Sequence, residues 1–432
     1  VQTSPAPRRS VIEAVVASTI GTTIEWYDFF LYGTAAATVF PELFFPSDDA
    51  FIAQLLAFGS FSIAFVARPI GGVIFGYLGD RVGRKSALVS TLLLMGVSTV
   101  FIGFLPTYAQ IGLAAPILLT LMRVFQGLGV GGEWGGAVLM ALEYGNTGRR
   151  GFFASWPQAG VPLGSLTSTG VMALCRALLS REDFMAWGWR IPFLLSGLLI
   201  AVGLFIRMRV LETPLFRELK ESNQLADAPV RETIVKHWRE LLLVAGSRMA
   251  ENASFYLFTI WIIQYAGARY GIPESVMFLA ITIAAAVEFA TIPLFGIISD
   301  RWTRRRTYMA GCVFLALFAG PFFALIETRE PMWIVLAVTT ALAVGHGSLY
   351  SVQAALIPEL FSTRLRCTAA SIGYQLGAMF AGGLAPIIAA ALARANPDTY
   401  WPVAGYIIAM ALFSLVCVQR LAETHRRNLS EE

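Results

Sequence analysis

Gly76-Tyr77-Leu78-Gly79-Asp80-Arg81-Val82-Gly83-Arg84-Lys85 recurs in weaker form as Gly296-Ile297-Ile298-Ser299-Asp300-Arg301-Trp302-Thr303-Arg304-Arg305. The two stretches start 220 residues apart in a chain of 432. A second pair keeps almost the same offset. Glu143 with Arg149 and Arg150 matches Glu359 with Arg364 and Arg366, 216 residues on. Glu25 and Glu251 align at 226, each ahead of an aromatic run: Phe29-Phe30-Leu31-Tyr32 and Phe255-Tyr256-Leu257-Phe258. A half-length repeat in an apolar chain argues for two helical bundles around a central site, working by alternating access.

The composition places that repeat in a bilayer. Hydrophobic residues make up 56% of the chain, charged residues only 14%, and the mean hydropathy is +0.65. A soluble domain is usually about one quarter charged. A helix needs roughly 20 apolar residues to cross the hydrocarbon core. Runs of that length are read at 11–40, 51–78, 86–105, 112–142, 152–178, 190–210, 240–267, 275–299, 307–326, 332–357, 367–393 and 401–420. The expectation is an all-α membrane protein of twelve transmembrane helices. Two pseudo-symmetric six-helix bundles cover 11–210 and 240–420, a polar linker covers 211–239, and tails cover 1–10 and 421–432.

Charge placement orients the chain. Arg176, Arg181, Arg190, Arg269, Arg329 and Arg394 fall on one side, and only Arg68, Arg123 and Arg248 are read as lying within spans. The rest of the 32 Lys and Arg fall on the side of both termini. The positive-inside rule puts that side in the cytoplasm of a multi-pass cell-membrane protein. Topology thus explains the basic loops without a nucleic-acid partner. The four cysteines are scattered, and only three histidines occur, so neither a disulfide framework nor a metal site is expected. No cleavable signal is expected before the first span. No Gly-x-x-x-x-Gly-Lys-Ser/Thr loop is present for ATP. Gly127-x-Gly129-x-x-Gly132 lies inside an apolar span, which rules out a dinucleotide fold. The chain reads as a carrier without a cofactor, not an enzyme.

The decapeptide loop resembles the hallmark loop of the major facilitator superfamily. Further stretches narrow the likeness: Glu25-Trp26-Tyr27-Asp28-Phe29-Phe30-Leu31-Tyr32-Gly33; Arg123-x-x-Gln126-Gly127 with Gly131-Gly132-Glu133-Trp134-Gly135-Gly136; Gly188-Trp189-Arg190-Ile191-Pro192-Phe193; and Glu212-Thr213-Pro214-x-Phe216. Together they resemble the metabolite:proton symporter family, which includes carriers for 2-oxoglutarate, citrate, proline/betaine and shikimate. Arg248-x-x-Glu251, His346 and Gly373-Tyr374-Gln375 look most like its shikimate branch. The resemblance implies that Asp80, Arg81, Arg84, Glu143, Asp300, Arg301 and Glu359 gate the cytoplasmic side, through ion pairs and a helix N-terminus.

Charges inside spans cost about 2.5–3.5 kcal/mol each on insertion scales, so each needs a partner or a wet cavity. Glu25 and Asp28 are at i and i+3, on one helix face. Held close together they cannot both ionise cheaply, so the pair either carries the coupled proton or is anchored to an arginine. Glu133 is a third acid, either a partner of Arg68 or Arg123 or a proton site. Arg123 presents a rigid guanidinium fork, either to a substrate carboxylate or to Glu25, Asp28 or Glu133. Arg248 and Glu251 could pair with each other and are expected to face the cavity, Arg248 to bind substrate and Glu251 as a further proton carrier. Glu288 either faces the cavity or pairs with Arg248. His346 is either a packing residue or a titrating one. Gln158, Gln353, Tyr374 and Gln375 suit hydrogen bonds to a hydroxylated substrate. Tyr27, Tyr32, Trp156, Tyr256 and Trp261 are either cavity wall or packing.

Two functions follow. The first is a proton-coupled symporter that imports a small organic acid such as shikimate, monomeric in the bilayer. The second is a symporter or facilitator of a zwitterion or neutral polyol, in which the arginines are structural.

Overall fold

The computed structural model describes residues 8–144, 148–209, 211–425 and 427. Most of the expected tail at 1–10, and residues 426 and 428–432 of the tail at 421–432, lie outside the described residues. The chain is all-helical. The first set of long helices is α1 (Arg8–Thr38), α2 (Ala50–Arg81), α3 (Arg84–Phe104), α4 (Ala114–Tyr144), α5 (Arg150–Leu178) and α6 (Arg190–Arg209). Two short helices follow, α7 (Pro214–Glu221) and α8 (Pro229–Lys236), each with proline in its first turn, where the missing N–H costs nothing. The second set is α9 (Trp238–Ser247), α10 (Met249–Tyr256), α11 (Ile262–Tyr270), α12 (Glu274–Arg301), α13 (Arg304–Glu327), α14 (Pro331–Thr340), α15 (Gly347–Glu359), α16 (Arg366–Gly377), α17 (Gly383–Ala395) and α18 (Trp401–Arg420).

Among the described residues, ten helices are long and apolar enough to cross a membrane. The runs at 11–40 and 240–267 are not among them. The first forms α1, long enough at 31 residues but diluted by Ser, Thr, Gly, Glu13, Glu25 and Asp28. The second forms a broken rod, interrupted at Arg248 and again by a π-helical turn at Leu257–Trp261. Two more π turns, Ala341–His346 and Ala378–Gly382, join α14 to α15 and α16 to α17. Each of these three turns includes or closely follows a residue that will matter below: Tyr256, His346, and Tyr374 with Gln375. Such turns re-aim side chains and recur at functional sites.

Within each set the helices pack on one another: α2 on α4, α1 on α5, α13 on α18, α9 on α16. Between the sets two crossings dominate, α2 against α16 and α5 against α12. Glycine permits both. A Cβ on Gly296 of α12 would sit 2.7 Å from the carbonyl oxygen of Gly151 on α5. A Cβ on Gly76 of α2 would sit 2.8 Å from Cα of Thr368 on α16. Backbone on both sides leaves no rotamer to yield. These are the first glycines of the two repeated decapeptides.

Gly296→Leu is therefore expected to force the two sets apart at this end. Spin labels at positions 148 and 301, read by double electron–electron resonance, should gain a longer-distance population. A distribution identical to that of the parent refutes this account of the crossing.

Candidate functional site

The ends of those crossings carry matched charge clusters. Asp80 closes α2 and points its carboxylate at the start of α16. It accepts N–H bonds from Cys367 at 3.1 Å and Thr368 at 2.8 Å. Asp300 closes α12 and accepts N–H bonds from Gly151 at 2.8 Å and Phe152 at 2.9 Å, at the start of α5. Each acid thus caps a helix of the other set, where unpaired N–H groups and the helix dipole favour an anion. Arg84 pairs with Asp80 at 2.8 Å and reaches the Thr363 carbonyl and Glu143. Arg304 pairs with Asp300 at 2.7 Å and Glu359 at 3.3 Å. Arg366 meets Glu143 at 3.3 Å, and Arg150 meets Glu359 at 4.0 Å. Arg81 donates to the Ala226 carbonyl and lies near Asp227 in the linker; Arg301 is exposed.

A second symmetry was not read from the sequence. Glu212 accepts the N–H groups of Arg84 and Lys85, and Glu423 accepts those of Arg304 and Arg305. Burial pushes the Glu423 carboxyl upward, yet the N–H groups of His425, Arg305 and Arg304 and the Thr303 hydroxyl outweigh it and hold it below its ordinary value. Glu232 in the linker is also held low, by Lys236 one turn on in α8 and by Arg364, and the Arg364 pair ties α8 to the residues just before α16. The signal for Glu423 was the dipeptide Glu423-Thr424, a copy of Glu212-Thr213.

Between the sets lies a narrow cavity whose water-accessible room is about 20 Å³. From the first set come Trp26, Arg68, Val130, Glu133, Trp134 and Val161; from the second, Arg248, Glu251, Asn252, Phe255, Tyr256, His346, Tyr350, Tyr374 and Gln375. Arg248 has its donors occupied: Nη2 by Glu251 at 2.9 Å, Nε by Gln353 at 3.2 Å and Nη1 by the Tyr374 carbonyl. Glu251 also takes a bond from Asn252 at 2.7 Å and lies 3.2 Å from His346 Nε2. The other ring nitrogen of His346 meets Glu288, so Glu288 pairs with the histidine and not with Arg248. Tyr374 is sandwiched between the Arg248 guanidinium and Trp134, whose ring stacks at 3.7 Å. Trp134 donates to Gln158, and Gln158 donates to the Tyr350 carbonyl. Gln375 donates to the Gly131 carbonyl across the seam at 3.1 Å.

Several expected residues lie elsewhere. Arg123 meets none of Glu25, Asp28 or Glu133. Its guanidinium sits in a box of Phe29, Tyr32 and Phe61 rings at 4.3–4.6 Å and donates to Gln126 and the Phe61 carbonyl. Cation–π contact, not a carboxylate, accommodates it. Tyr32 is buried there, bonded to Ser60; Trp156 packs at the periphery against Phe152 and Phe289. Tyr27 bonds the Pro192 carbonyl, and Trp261 stacks on Tyr265. Glu25 and Asp28 do not share a site. Glu25 pairs with Arg207 at 3.0 Å, and Asp28 accepts from Ser196 at 2.5 Å. Glu133 pairs with neither Arg68 nor Arg123: it takes the Thr22 hydroxyl at 2.7 Å and lies 3.7 Å from Arg207. Arg207 was missed because, next to Arg209 at the end of a span, it reads as a topology charge. Arg68 is the other omission. It lines the cavity among Trp26, Phe29 and Phe65 rings, and its Nε and Nη2 are buried without a hydrogen-bond partner.

Residues 14–241 match the family model described as Sugar (and other) transporter, and residues 244–431 match that of the Major Facilitator Superfamily. The chain belongs to the major facilitator superfamily. It is 38% identical to an inner membrane metabolite transport protein of Escherichia coli K12, over 98% of this chain and 97% of that one. It is 36% identical to the shikimate transporter of the same organism, over 96% and 95%. In fold it is similar to the proton:xylose symporter XylE bound to 6-bromo-6-deoxy-D-glucose, with a TM-score of 0.78 at 15% identity over 98% of both chains. This facilitator is a multi-pass cell-membrane transporter and not an enzyme.

Asp80→Asn removes one charge-assisted cap and leaves Arg84 only the more distant Glu143, at 3.7 Å, as an ionic partner, at a cost of about 1.5–3 kcal/mol to the closed arrangement. The native thiol of Cys367, buried beneath it, is the reporter. Maleimide labelling at Cys367, located by mass spectrometry, should speed up at least tenfold in Asp80→Asn; unchanged labelling argues against the cap as a latch.

Proposed function

We propose that this transporter is a proton-coupled symporter that imports a small organic acid by alternating access, with a shikimate-like cyclic hydroxy acid as the leading cargo. One observation carries the reading. Arg68 reaches the central cavity with two buried donors unmatched, on the same wall as Glu133. A guanidinium with free N–H groups in a dry site is matched by a carboxylate, which accepts two parallel bonds. A neutral polyol would leave that charge uncompensated. Tyr256 reaches toward Arg68 from the other half, so a bound carboxylate there is contacted from both halves.

The proton side of the reading rests on the first half. Glu25 and Glu133 both lie beside Arg207, at 3.0 and 3.7 Å. Two carboxylates on one guanidinium carry one negative charge more than it offsets, so a proton held by either balances the group. Import of one acid anion with a proton keeps the buried charge balanced. In the second half, Glu251, His346 and Glu288 form another titratable chain, tied to the cavity through Arg248. In this reading Arg68 takes the role expected of Arg123. Tyr256, Tyr374, Gln375 and His346 form the wall, and Gln158 and Gln353 hold that wall in place.

The same reading includes twelve crossings, functional halves at 11–210 and 240–420, both termini in the cytoplasm and a monomeric carrier. The Asp80 and Asp300 clusters then close the cytoplasmic side while substrate loads from outside.

Purified protein in liposomes should take up labelled shikimate, 2-oxoglutarate or protocatechuate faster under an inward proton gradient. Uptake indifferent to the gradient would sink the symport claim, and uptake of betaine alone would sink the acid claim. Arg68→Lys should raise the apparent KM about tenfold, roughly 1.4 kcal/mol, with kcat near that of the parent. Arg123→Lys should leave KM unchanged. Equal KM in the parent and Arg68→Lys shows that another group holds the carboxylate.

A further inference from the structure

We infer that the coupled proton leaves through its own crevice in the first half, separate from the path that the substrate takes. This rests on the proton-coupled reading above. A second opening, with water-accessible room of about 10 Å³, the space of about one water, is lined by Ala17, Ser18, Lys85, Leu88, Met140 and Arg207. Lys85 belongs to the decapeptide loop, so the crevice lies at the basic end of the molecule. It does not border the central cavity, and none of its lining residues is shared with it.

Its inner end has unmet polar groups. Ser18 is 1% exposed, and its hydroxyl has no partner. Arg207 Nε and Nη2 are also buried without a hydrogen bond. Buried orphans of this kind are met by water where there is room for it. Arg207 then connects inward. Its Nη1 bonds Glu25 and the Leu88 carbonyl, and its Nη2 lies 3.7 Å from Glu133, which faces the central cavity. Gly21, one helical turn from Ser18, makes room: a Cβ there would sit 2.1 Å from Arg207 Nη2.

A polar line therefore runs from the cavity to the basic face: Glu133, Glu25, Arg207, then water beside Ser18 and Lys85. The proton enters from the cavity onto Glu133. It is shared with Glu25, passes to a water in the crevice and leaves as hydronium. The carboxyl pair is left with one more negative charge and is reloaded from the cavity. The guanidinium floor repels hydronium, so the route conducts only when Arg207 turns away from Glu25. The gate of Asp80 and Asp300 need not open for that step.

The test fills the crevice. Ser18→Leu in the full chain, reconstituted in liposomes, is assayed with labelled shikimate in two modes. Exchange at equal pH needs no net proton release and should stay within about twofold of the parent. Substrate-driven acidification of the compartment at the basic face, read by a trapped pH dye, should slow at least tenfold. If Ser18→Leu fails to fold, the smaller Ser18→Val is assayed in the same two modes. Parental acidification in the plugged protein overturns the inference, as does an equal loss of exchange and acidification. Absence of acidification in the parent itself removes the proton-coupled reading and the inference with it.

Discussion

A carboxylate from one half of the chain seated on the first backbone amides of a helix from the other half is the constraint on which the rest depends. It occurs twice, at Asp80 on α16 and at Asp300 on α5. Asp80 and Arg84 are essentially removed from water, and so is Glu143 behind them. Buried ion networks of this kind add little net stability over apolar packing, because desolvation offsets attraction. Breaking one is costly, since every member is left unmatched at once. That property suits an element with two discrete states. The glycines of the decapeptides bring the helices close enough for the cap to form, and the acid four residues later supplies it. One short motif therefore encodes both the close approach and the cap.

The repeat is faithful at this latch and departs from symmetry at the site. Glu25 and Glu251 occupy matched positions, but their arginines differ. Glu251 takes Arg248 from its own rod, three residues before it. Glu25 takes Arg207 from the far end of α6. In the second half the guanidinium thus lies on the cavity wall, stacked on Tyr374. In the first half it lies toward the basic face, and the cavity wall is left to Arg68. Two copies of one architecture have placed fixed charge at different depths.

Much of this was legible. The apolar runs, the half-length repeat and the decapeptides are visible in residue order, and so is the Arg248–Glu251 pair. Azimuth was not. Three residues span 300° of a helix, so Glu25 and Asp28 diverge by about 60°. In a bundle interior that is enough to give them different partners on one and the same helix, Arg207 of α6 for Glu25 and Ser196 of α6 for Asp28, eleven residues apart along it. Depth was no clearer. Arg207 at a span's end reads like its neighbour Arg209, yet it turns inward along α1. Arg123 near a span's middle reads like a substrate fork, yet three aromatic rings enclose it. The π turns at Leu257, Ala341 and Ala378 each shift the helical register, so no regular period places Tyr256 and His346 on one wall.

The helix α16 connects the Asp80 cap to the central cavity. Its first turn receives the Asp80 cap, and Tyr374 and Gln375 lie near its other end. From Thr368 to Tyr374 is six residues, about 9 Å of rigid helix. Tyr374 carries Arg248 on one face and Trp134 of the other half on the second. Gln375 bonds the backbone of α4 across the seam. Separation of the halves at the cap must therefore slide Tyr374 off Trp134 and break the Gln375 bond. The reverse holds equally: a solute that presses on the Tyr374–Trp134 stack strains the Asp80 cap through the same helix. Reciprocity of this kind is thermodynamically required of any coupling between two sites. Here it needs no chain of intermediates, because one unbroken α-helix connects both ends.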